Sequence, residues 1–482
     1  MLDLRPIGYV VGLMIAVLGV LMLLPAMVDW LAGTDNAPSF LVSAFISTVF
    51  GGLLSLATRN SLGKALNVRQ AFLLTISAWT IVPVFAALPI ILGVQHASPL
   101  VGYFEAVSGI TTTGSTLLVG LDYIPPGVNL WRGMITWLGG LGIAFVALAF
   151  LPVMRVGGMQ FFRAEGFDTL GKMLPRANHI ALSLAGVYVV LTVICILTYL
   201  VIGMSALDAV VNGMSSIATG GFSPADDSFT GHAGLGEYFG TLFMICGSLP
   251  YVRYLQMVTG SPKAIWKDTQ VRGYLTVIAV SVIAVTGWRL FHFGGELEPT
   301  FRETLFNLVS IMSGTGFFSG SFATWGGFSM VVAFALGIIG GCSSSSSGAL
   351  SVFRVQVTMA AIAAQLRLIA TPSRIAPVKY AGRTVDDSTL NGIILYVCGY
   401  ILSIGILGVA MTLVGVDTES AIFAAWTSLG NIGYGYGPLV APTGTFVDFP
   451  DAAVVMMIVA MIAGRLALLS FFVLLLPRFW RG

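Results

Sequence analysis

Long runs of apolar residues, separated by short polar connections, occupy most of the chain. Two runs, near residues 8–28 and 40–58, precede any other recognisable pattern. Eight more lie near residues 71–92, 130–153, 180–202, 238–258, 273–291, 328–363, 390–413 and 452–476. Because a helix needs about 20 apolar residues to cross a bilayer core, the pattern predicts ten membrane-crossing helices.

The eight later runs form four consecutive pairs, and a shorter apolar segment lies between the two runs of each pair. The four segments cover residues 99–114, 206–221, 300–316 and 418–433, and they open at Ser98, Ser205, Pro299 and Asp417, which favour a helix start. About a dozen helical residues are too few to cross a bilayer. Irregular backbone at membrane depth must also be buried in protein or line a cavity. The segments are therefore predicted to be re-entrant half-helices, each followed by a strand that lines a pore.

The four strands align on glycine. Gly114, Gly221, Gly316 and Gly433 are separated by 107, 95 and 117 residues, which indicates a repeat of roughly one hundred residues. The chain then divides into an N-terminal two-helix hairpin, residues 1–69, and four repeats, residues 70–178, 179–268, 269–386 and 387–482. The predicted fold is an all-α polytopic membrane protein whose four helix–pore-helix–strand–helix repeats surround one central pore.

The strands have the composition of an ion filter. Residues Asn431 to Gly435 read like the TVGYG strand of potassium channels, whose backbone carbonyls replace the hydration shell of the ion. Alternate glycines allow dihedrals that are closed to residues with a Cβ, and the C-terminal ends of the half-helices add partial negative charge. The sequence predicts a potassium-binding filter, with no other metal site, at Thr111, Thr112, Thr113, Gly114, Ala218, Thr219, Gly220, Gly221, Ser313, Gly314, Thr315, Gly316, Gly430, Asn431, Ile432 and Gly433.

Composition and charge restrict the function further. Of 482 residues, 56% are hydrophobic and 9% are charged, against about 25% charged in soluble proteins, which excludes a soluble enzyme. One side of the predicted helices carries 19 of the 23 basic residues, so the positive-inside rule makes that side, with both termini, cytoplasmic. The outer side carries Arg132, Arg289 and Arg302 against an excess of acids, and should concentrate cations. These acids are Asp29, Asp35, Glu105, Asp122, Asp208, Asp226, Asp227, Glu237, Glu296, Glu298, Glu303, Asp417, Glu419, Asp448 and Asp451.

Two polar features interrupt the later apolar runs. A serine run bracketed by glycines lies within residues 328–363, and consists of Gly340, Gly341, Ser343, Ser344, Ser345, Ser346, Ser347 and Gly348. Either the helix breaks here and hydroxyls satisfy the freed backbone groups, or it continues with the serines bonded to carbonyls four residues earlier. The glycines favour the break. Arg465 lies in the middle of the last run, where an ionisable side chain is costly and indicates a functional role.

Several motifs resemble those of the Trk/Ktr/HKT superfamily of potassium transporters, most closely its bacterial TrkH/TrkG branch. They extend over essentially the whole chain: Thr111–Gly114, Trp137–Gly142, Val156–Gln160 with Arg163–Glu165, Ala218–Ser223, Gly340–Cys342, Gly464–Leu466 and Pro477–Arg481. The resemblance implies potassium uptake across the bacterial inner membrane by a homodimer with one pore per subunit. It also implies gating by cytosolic nucleotide-binding subunits of the TrkA type, with no organic cofactor and no nucleic-acid partner for this chain.

The same resemblance assigns roles to the two polar features. In the family, an intramembrane loop under the filter is the gate, and an arginine below the filter is an electrostatic barrier to cations. These roles fall on the serine run and on Arg465. The chain departs from the family in two places, because serines replace a glycine-rich break and Ala467 stands where the family has an acid.

An alternative from another class is a secondary transporter that couples potassium uptake to a proton or sodium gradient. That mechanism favours a carboxylate inside a membrane span, whereas every acid falls in a predicted loop, at a span edge or on a half-helix. A membrane enzyme would need residues at metal-ligand or catalytic-triad spacing, which the sequence lacks. The sequence therefore predicts a channel-like protein and not an enzyme.

Overall fold

The computed structural model describes residues 3–61, 67–150, 177–373, 376–466 and 468–481, most of them helical. The motif residues 156–160 and 163–165, and Ala467, lie outside these ranges. The N-terminal hairpin consists of α1 (Arg5–Leu21), α2 (Leu23–Leu31) and α3 (Ala37–Thr58), followed by a 3-10 turn at Arg59–Ser61. α1 and α3 approach so closely that a Cβ added at Gly12 or Gly51 would collide with backbone atoms of the other helix. Glycine at these two positions therefore permits the close packing.

Each repeat places a pore helix between two other helices. Repeat one contains α4 (Val68–Ala86), α5 (Leu88–Ile91), α6 (Pro99–Ile110) and α7 (Pro126–Phe150). Repeat two contains α8 (Ala177–Val201), α9 (Ala206–Ala218), α10 (Leu235–Ser248) and α11 (Tyr251–Val258), with 3-10 turn Thr230–His232 and connecting helix α12 (Ala264–Lys267). Repeat three contains α13 (Thr269–Phe293), α14 (Leu297–Ser313), α15 (Gly327–Ile339) and α16 (Val352–Ala370), with 3-10 turn Phe322–Thr324. Repeat four contains α17 (Asp387–Leu413), α18 (Thr418–Gly430), α19 (Asp451–Arg465), α20 (Leu468–Leu475) and α21 (Pro477–Arg481).

The predicted fold class, a helical multi-pass membrane protein, is confirmed, but several spans are not continuous. In the described part of the chain, 7 helical stretches are long and apolar enough to cross a membrane, against ten predicted spans. The spans predicted at 238–258, 328–363 and 452–476 are each broken. In the first, Pro250 has no N–H to continue the helix, and Leu249 before it is extended (φ −86°, ψ 153°). The break within 328–363 agrees with the break that the glycines around the serine run favoured, whereas the breaks within 238–258 and 452–476 were not predicted.

A short β-hairpin joins α16 to α17. Strand β1 (Lys379–Tyr380) runs antiparallel to β2 (Arg383–Thr384). The connecting Ala381 and Gly382 both have positive φ, 48° and 81°, as two-residue hairpin turns require. Tyr380 packs against Phe353, with ring centroids 5.0 Å apart, and so attaches the hairpin to the start of α16. The all-α prediction missed this hairpin because Ala-Gly is a weaker turn signal than Asn-Gly or Asp-Gly.

A buried carboxylate attaches the N-terminal hairpin to repeat one. Asp29, near the end of α2, accepts hydrogen bonds from the Gly127 N–H (2.7 Å) and from Asn36 Nδ2 (2.8 Å). The Asn36 side-chain oxygen in turn accepts from the Val94 N–H (3.1 Å). Because Gly127 lies in the first turn of α7, the positive end of that helix dipole also favours the carboxylate. The hairpin thus lies against the pore-forming part of the chain at a defined position.

Candidate functional site

The four pore helices are α6, α9, α14 and α18, numbered one to four in chain order. Ser98, Ser205 and Asp417 cap helices one, two and four, each accepting a hydrogen bond from the backbone N–H three residues later. Pore helix three begins at Leu297, so its predicted start at Pro299 is wrong. Pro299 instead occupies the first turn, where a backbone N–H has no partner within the helix and its absence costs little.

Each pore helix ends in the same left-handed turn. One residue in each turn has positive φ, and these residues are Thr112 (52°), Thr219 (50°), Gly314 (72°) and Asn431 (52°). The next N–H bonds to a carbonyl five residues earlier, giving the bonds Thr113 to Ser108 (2.8 Å), Gly220 to Ser215 (2.9 Å), Thr315 to Ser310 (2.9 Å) and Ile432 to Thr427 (3.0 Å). This bond is typical of a Schellman-type helix end. Four segments of different sequence therefore leave their helices with one geometry.

The aligned glycines pack in a closed ring. All have positive φ: Gly114 (85°), Gly221 (68°), Gly316 (81°) and Gly433 (93°). A Cβ added to any of them would collide with a carbonyl oxygen of the next strand, in the order Gly114 with Gly220, Gly221 with Thr315, Gly316 with Ile432 and Gly433 with Thr113. The fourth contact returns to the first strand, so the repeats follow one another around a single axis. A side chain at these positions is excluded by its neighbours and by the backbone conformation.

One cavity touches the whole ring. It has a volume of about 520 Å³, lies on the side toward which the strands continue, and is lined by all four aligned glycines. Phe318 and Tyr434 contribute aromatic walls, while Arg132, Asp226 and Glu419 are its charged lining residues. The strands therefore form the floor of a vestibule with charged groups of both signs.

The chain leaves the helix beneath the ring. α15 ends at Ile339 and α16 begins at Val352, and positive φ values occur at Gly340 (73°), Ser344 (64°) and Ser351 (75°). The alternative of a continuous helix through the serines is therefore wrong. Two serine hydroxyls hold the loop to itself: Ser343 Oγ lies 2.9 Å from Ser351 Oγ, and Ser345 Oγ donates to the Cys342 carbonyl (2.6 Å).

Other serines of this loop bind the ends of the pore helices. Ser346 Oγ lies 3.0 Å from the carbonyl oxygens of both Ile217 and Gly247. Ser347 Oγ donates to the Ser313 carbonyl at 2.6 Å. A Cβ at Gly348 would collide with the Gly430 carbonyl. The loop thus lies against the C-terminal ends of pore helices two, three and four.

Arg465 connects this loop to the first strand. It is the last residue of α19, and its Nη2 donates to Thr112 Oγ1 and to the Ser346 carbonyl, both at 2.6 Å. Within the described ranges, no carboxylate forms a salt bridge with Arg465, and its buried Nε has no partner. Neutral oxygens alone therefore meet its charge in that part of the chain.

The outer charges are paired more closely than the sequence suggested. Asp29, Glu105 and Glu237 are buried, so the prediction that these three acids belong to a cation-collecting outer surface is wrong. Each outer arginine binds an acid, in the pairs Arg132–Glu105 (3.2 Å), Arg289–Glu303 (2.5 Å) and Arg302–Glu237. The acids that remain exposed are Asp35, Asp122, Asp227, Glu296, Glu298, Glu419, Asp448 and Asp451. Next to Asp226, which lines the cavity, partial desolvation and then the charge of Asp122 raise the pKa of Asp227.

The sequence analysis missed one position on the pore helices. Nine residues before the aligned glycine stand Glu105, Asn212 and Asn307 in repeats one, two and three. The side chain of Asn307 forms two hydrogen bonds with the backbone of Ser319. Its Oδ1 accepts from the Ser319 N–H and its Nδ2 donates to the Ser319 carbonyl, both at 3.0 Å. Asn212 is fully buried and neither of its side-chain polar atoms has a partner in the described chain. Polar residues within apolar half-helices were the available signal for these positions.

The two asparagines should respond in opposite ways to the same substitution. Asn307→Leu leaves the buried N–H and C=O of Ser319 unsatisfied and should lower the free energy of unfolding by about 1–3 kcal/mol. Asn212→Leu removes an amide without partners and should be neutral or stabilising. Thermal unfolding of both variants in detergent measures the difference. Equal destabilisation by the two variants would contradict the assigned contacts.

Three comparisons with known proteins identify relatives along nearly the whole chain. A family model for TrkH, described as a cation transport protein, matches residues 36–481. The Trk system potassium uptake protein TrkI of Halomonas elongata is 36% identical over 478 residues, covering 99% of this chain and 97% of that protein. TrkH of Escherichia coli is 31% identical over 491 residues, covering 99% of both. The crystal structure of the potassium transporter TrkH from Vibrio parahaemolyticus superimposes with a TM-score of 0.91 at 28% identity, over 100% of both chains. The chain belongs to the TrkH family of cation transport proteins.

Proposed function

We propose that this chain is the membrane subunit of a Trk-type potassium uptake system, and that potassium crosses the membrane through the ring formed by the four strands. The similar proteins from Halomonas elongata and Escherichia coli carry the name of Trk system potassium uptake proteins. The single observation that carries the proposed route is the closed cycle in which each aligned glycine abuts a carbonyl of the next strand.

Potassium is the substrate of this ring, and we propose no organic cofactor. Backbone carbonyls of the sixteen filter residues would replace water around a dehydrated ion. The pore helices direct their C-terminal ends toward the strands, and the partial negative charge of a helix end favours a cation there. Exposed acids on the cavity side, such as Glu419, would raise the local cation concentration before entry.

The serine-containing loop and Arg465 are proposed to be the gate. Ser346, Ser347 and Gly348 lie directly against the ends of three pore helices. Arg465 adds a positive charge between the loop and Thr112, which opposes a cation leaving the ring. If ions pass below the strands as proposed, conduction would require these contacts to separate.

The proposed assembly is a homodimer in the bacterial inner membrane, with both termini cytoplasmic and TrkA-type nucleotide-binding subunits controlling the gate. The excess of basic residues on one side of the helices supports that orientation. The β-hairpin at residues 379–384 and α12 belong to connections that carry these basic residues, and we propose that a cytosolic partner binds there.

The contacts of three buried acids on the predicted outer side favour a pore over proton-coupled transport. Glu105 and Glu237 are each bound to an arginine, and Asp29 accepts two hydrogen bonds from N–H groups. Protonating any of them would sacrifice these charge-assisted contacts. Among the described residues, these buried carboxylates are therefore poorly suited to carry a proton in each transport cycle.

Ion flux into liposomes that contain only the purified protein tests the function. We expect potassium uptake driven by an imposed voltage, saturable with potassium concentration, faster than sodium uptake and independent of a pH gradient. Protein-free liposomes measure the background. Flux that requires a proton or sodium gradient would instead identify a coupled transporter.

Gly114→Ser should lower the preference for potassium over sodium. The new side chain collides with the Gly220 carbonyl and occupies a left-handed backbone conformation, so one carbonyl ring is displaced. We expect the ratio to fall about tenfold, the factor that a difference of about 1.4 kcal/mol produces. Gly186→Ser is the matched control, since a Cβ at this exposed helical glycine meets no atom within 4 Å. Unchanged selectivity of folded Gly114→Ser protein would rule out the glycine ring as the filter.

Arg465→Ala should raise basal potassium flux. The substitution removes the positive charge below the ring and both contacts that link the loop to α19. We expect flux to increase about tenfold, as a barrier lowered by about 1.4 kcal/mol would allow. Arg367→Ala, at an exposed arginine of α16, serves as the control for loss of positive charge. If folded Arg465→Ala protein conducts no faster than the parent, this side chain does not limit flux.

A further inference from the structure

Side chains of repeat one bind the outer continuations of two filter strands at once. The Glu105 carboxylate accepts from the Leu117 N–H and from Thr116 Oγ1, both at 2.7 Å, just beyond Gly114. Arg132 Nε donates to the other Glu105 oxygen (3.2 Å), and its Nη1 donates to the Ser223 carbonyl (3.1 Å), two residues beyond Gly221. One ion pair therefore connects strand one with strand two.

A neighbouring amide reinforces this connection. Asn129 Nδ2, one helical turn before Arg132, donates to the carbonyls of Leu121 (2.8 Å) and Pro224 (3.2 Å). Asn129 Oδ1 also lies 3.4 Å from Arg132 Nη1. Both carbonyls again belong to the outer continuations of strands one and two. We call these three side chains, Glu105, Asn129 and Arg132, the clamp.

The charged members of the clamp are enclosed. Arg132 is 1% exposed and Glu105 is fully buried, and the Arg132 guanidinium lies 4.2 Å from the ring centre of Phe222, the residue next to Gly221. Two buried charges can remain only when they are paired and their other hydrogen-bonding groups are satisfied. The arginine can therefore move very little without moving strand two.

Three residues beyond its aligned glycine, strand two lacks the contact from its own pore helix that strands one and three have. In repeats one and three, Glu105 and Asn307 bond to the residue three positions beyond the aligned glycine, which is Leu117 or Ser319. In repeat two this residue is Pro224, which has no N–H, and Asn212, at the position equivalent to Glu105 and Asn307, has no partner among the described residues. The contacts from Asn129 and Arg132 take the place of the missing one.

We propose that Glu105, Asn129 and Arg132 are positioning residues that set the spacing between filter strands one and two, and thereby the preference for potassium over sodium. This inference rests on the function proposed above. Ser223 is separated from Gly221 by a single residue, and Gly221 abuts the Thr315 carbonyl. A displacement of Ser223 therefore reaches the carbonyl ring through two rigid peptide units.

The test compares flux of potassium and sodium in liposomes for four variants. Arg132→Gln removes the positive charge that pairs with Glu105 and the several N–H donors of the guanidinium group. Arg132→Lys retains the positive charge but offers a single ammonium group as donor. Glu105→Gln keeps the size and one acceptor oxygen of the carboxylate without its charge. The double variant Glu105→Arg with Arg132→Glu reverses the pair, retaining neutrality but placing a donor against the Leu117 N–H and an acceptor against the Ser223 carbonyl.

For Arg132→Gln and Glu105→Gln we expect the potassium-to-sodium flux ratio to fall about fivefold, which corresponds to about 1 kcal/mol between the two ions. Arg132→Lys should retain more of the ratio than Arg132→Gln. The reversed pair should not restore the flux ratio, because it can no longer accept from the Leu117 N–H or donate to the Ser223 carbonyl. A purely structural ion pair would be rescued by reversal.

Asp29→Asn provides the matched control. It also neutralises a buried carboxylate that contacts α7, but Asp29 bonds to neither strand, so the flux ratio should remain that of the parent. If the reversed pair yields no folded protein, Glu105→Gln decides the question alone, since it is nearly isosteric. Parental selectivity in folded Glu105→Gln and Arg132→Gln, or full rescue by reversal, would overturn the clamp. A parent chain without selective potassium flux would overturn the proposed function itself.

Discussion

Backbone that is neither helix nor sheet must satisfy its polar groups without water at membrane depth, and the architecture of this protein follows from that constraint. The left-handed turns at the pore-helix ends bond one N–H in each strand to the helix behind it, which leaves neighbouring carbonyls available to a cation. Below the ring, Ser346 and Ser347 bind the carbonyls of Ile217 and Ser313. The serine loop thus supplies donors to helix ends that an open pore would present to ions or water.

The four repeats share their turns but differ in what supports the strands from behind. Glu105, Asn212, Asn307 and Ala424 occupy the same position on successive pore helices, and only Glu105 and Asn307 bond to their own strands in the described chain. The four strands therefore share one local geometry, but the side-chain contacts behind them differ from repeat to repeat. A single long chain permits this difference, whereas four identical subunits would be constrained to equal contacts.

Charges at membrane depth follow the rule that buried ions are paired. The arginines on the predicted outer side each bind a glutamate, and Arg132 and Arg289 also lie over aromatic rings, 4.2 Å from Phe222 and 3.7 Å from Trp325. Arg465 is different, because its hydrogen-bond partners in the described structure are a threonine hydroxyl and a carbonyl. Its uncompensated charge is consistent with a role that depends on repulsion of cations.

The sequence by itself determined the membrane class, the repeat and the order of helices, because apolar length and glycine spacing are local properties that any bilayer-spanning fold must satisfy. It gave no reliable account of helix continuity at Leu249–Pro250 or of which acids are exposed. Glu105 lies 27 residues from Arg132 and Arg132 lies 91 residues from Ser223, so only folding brings them together. The same holds for the ring of glycines, since each one is required by a carbonyl from another repeat. Tertiary structure decides these features because burial and pairing depend on neighbours that are distant along the chain.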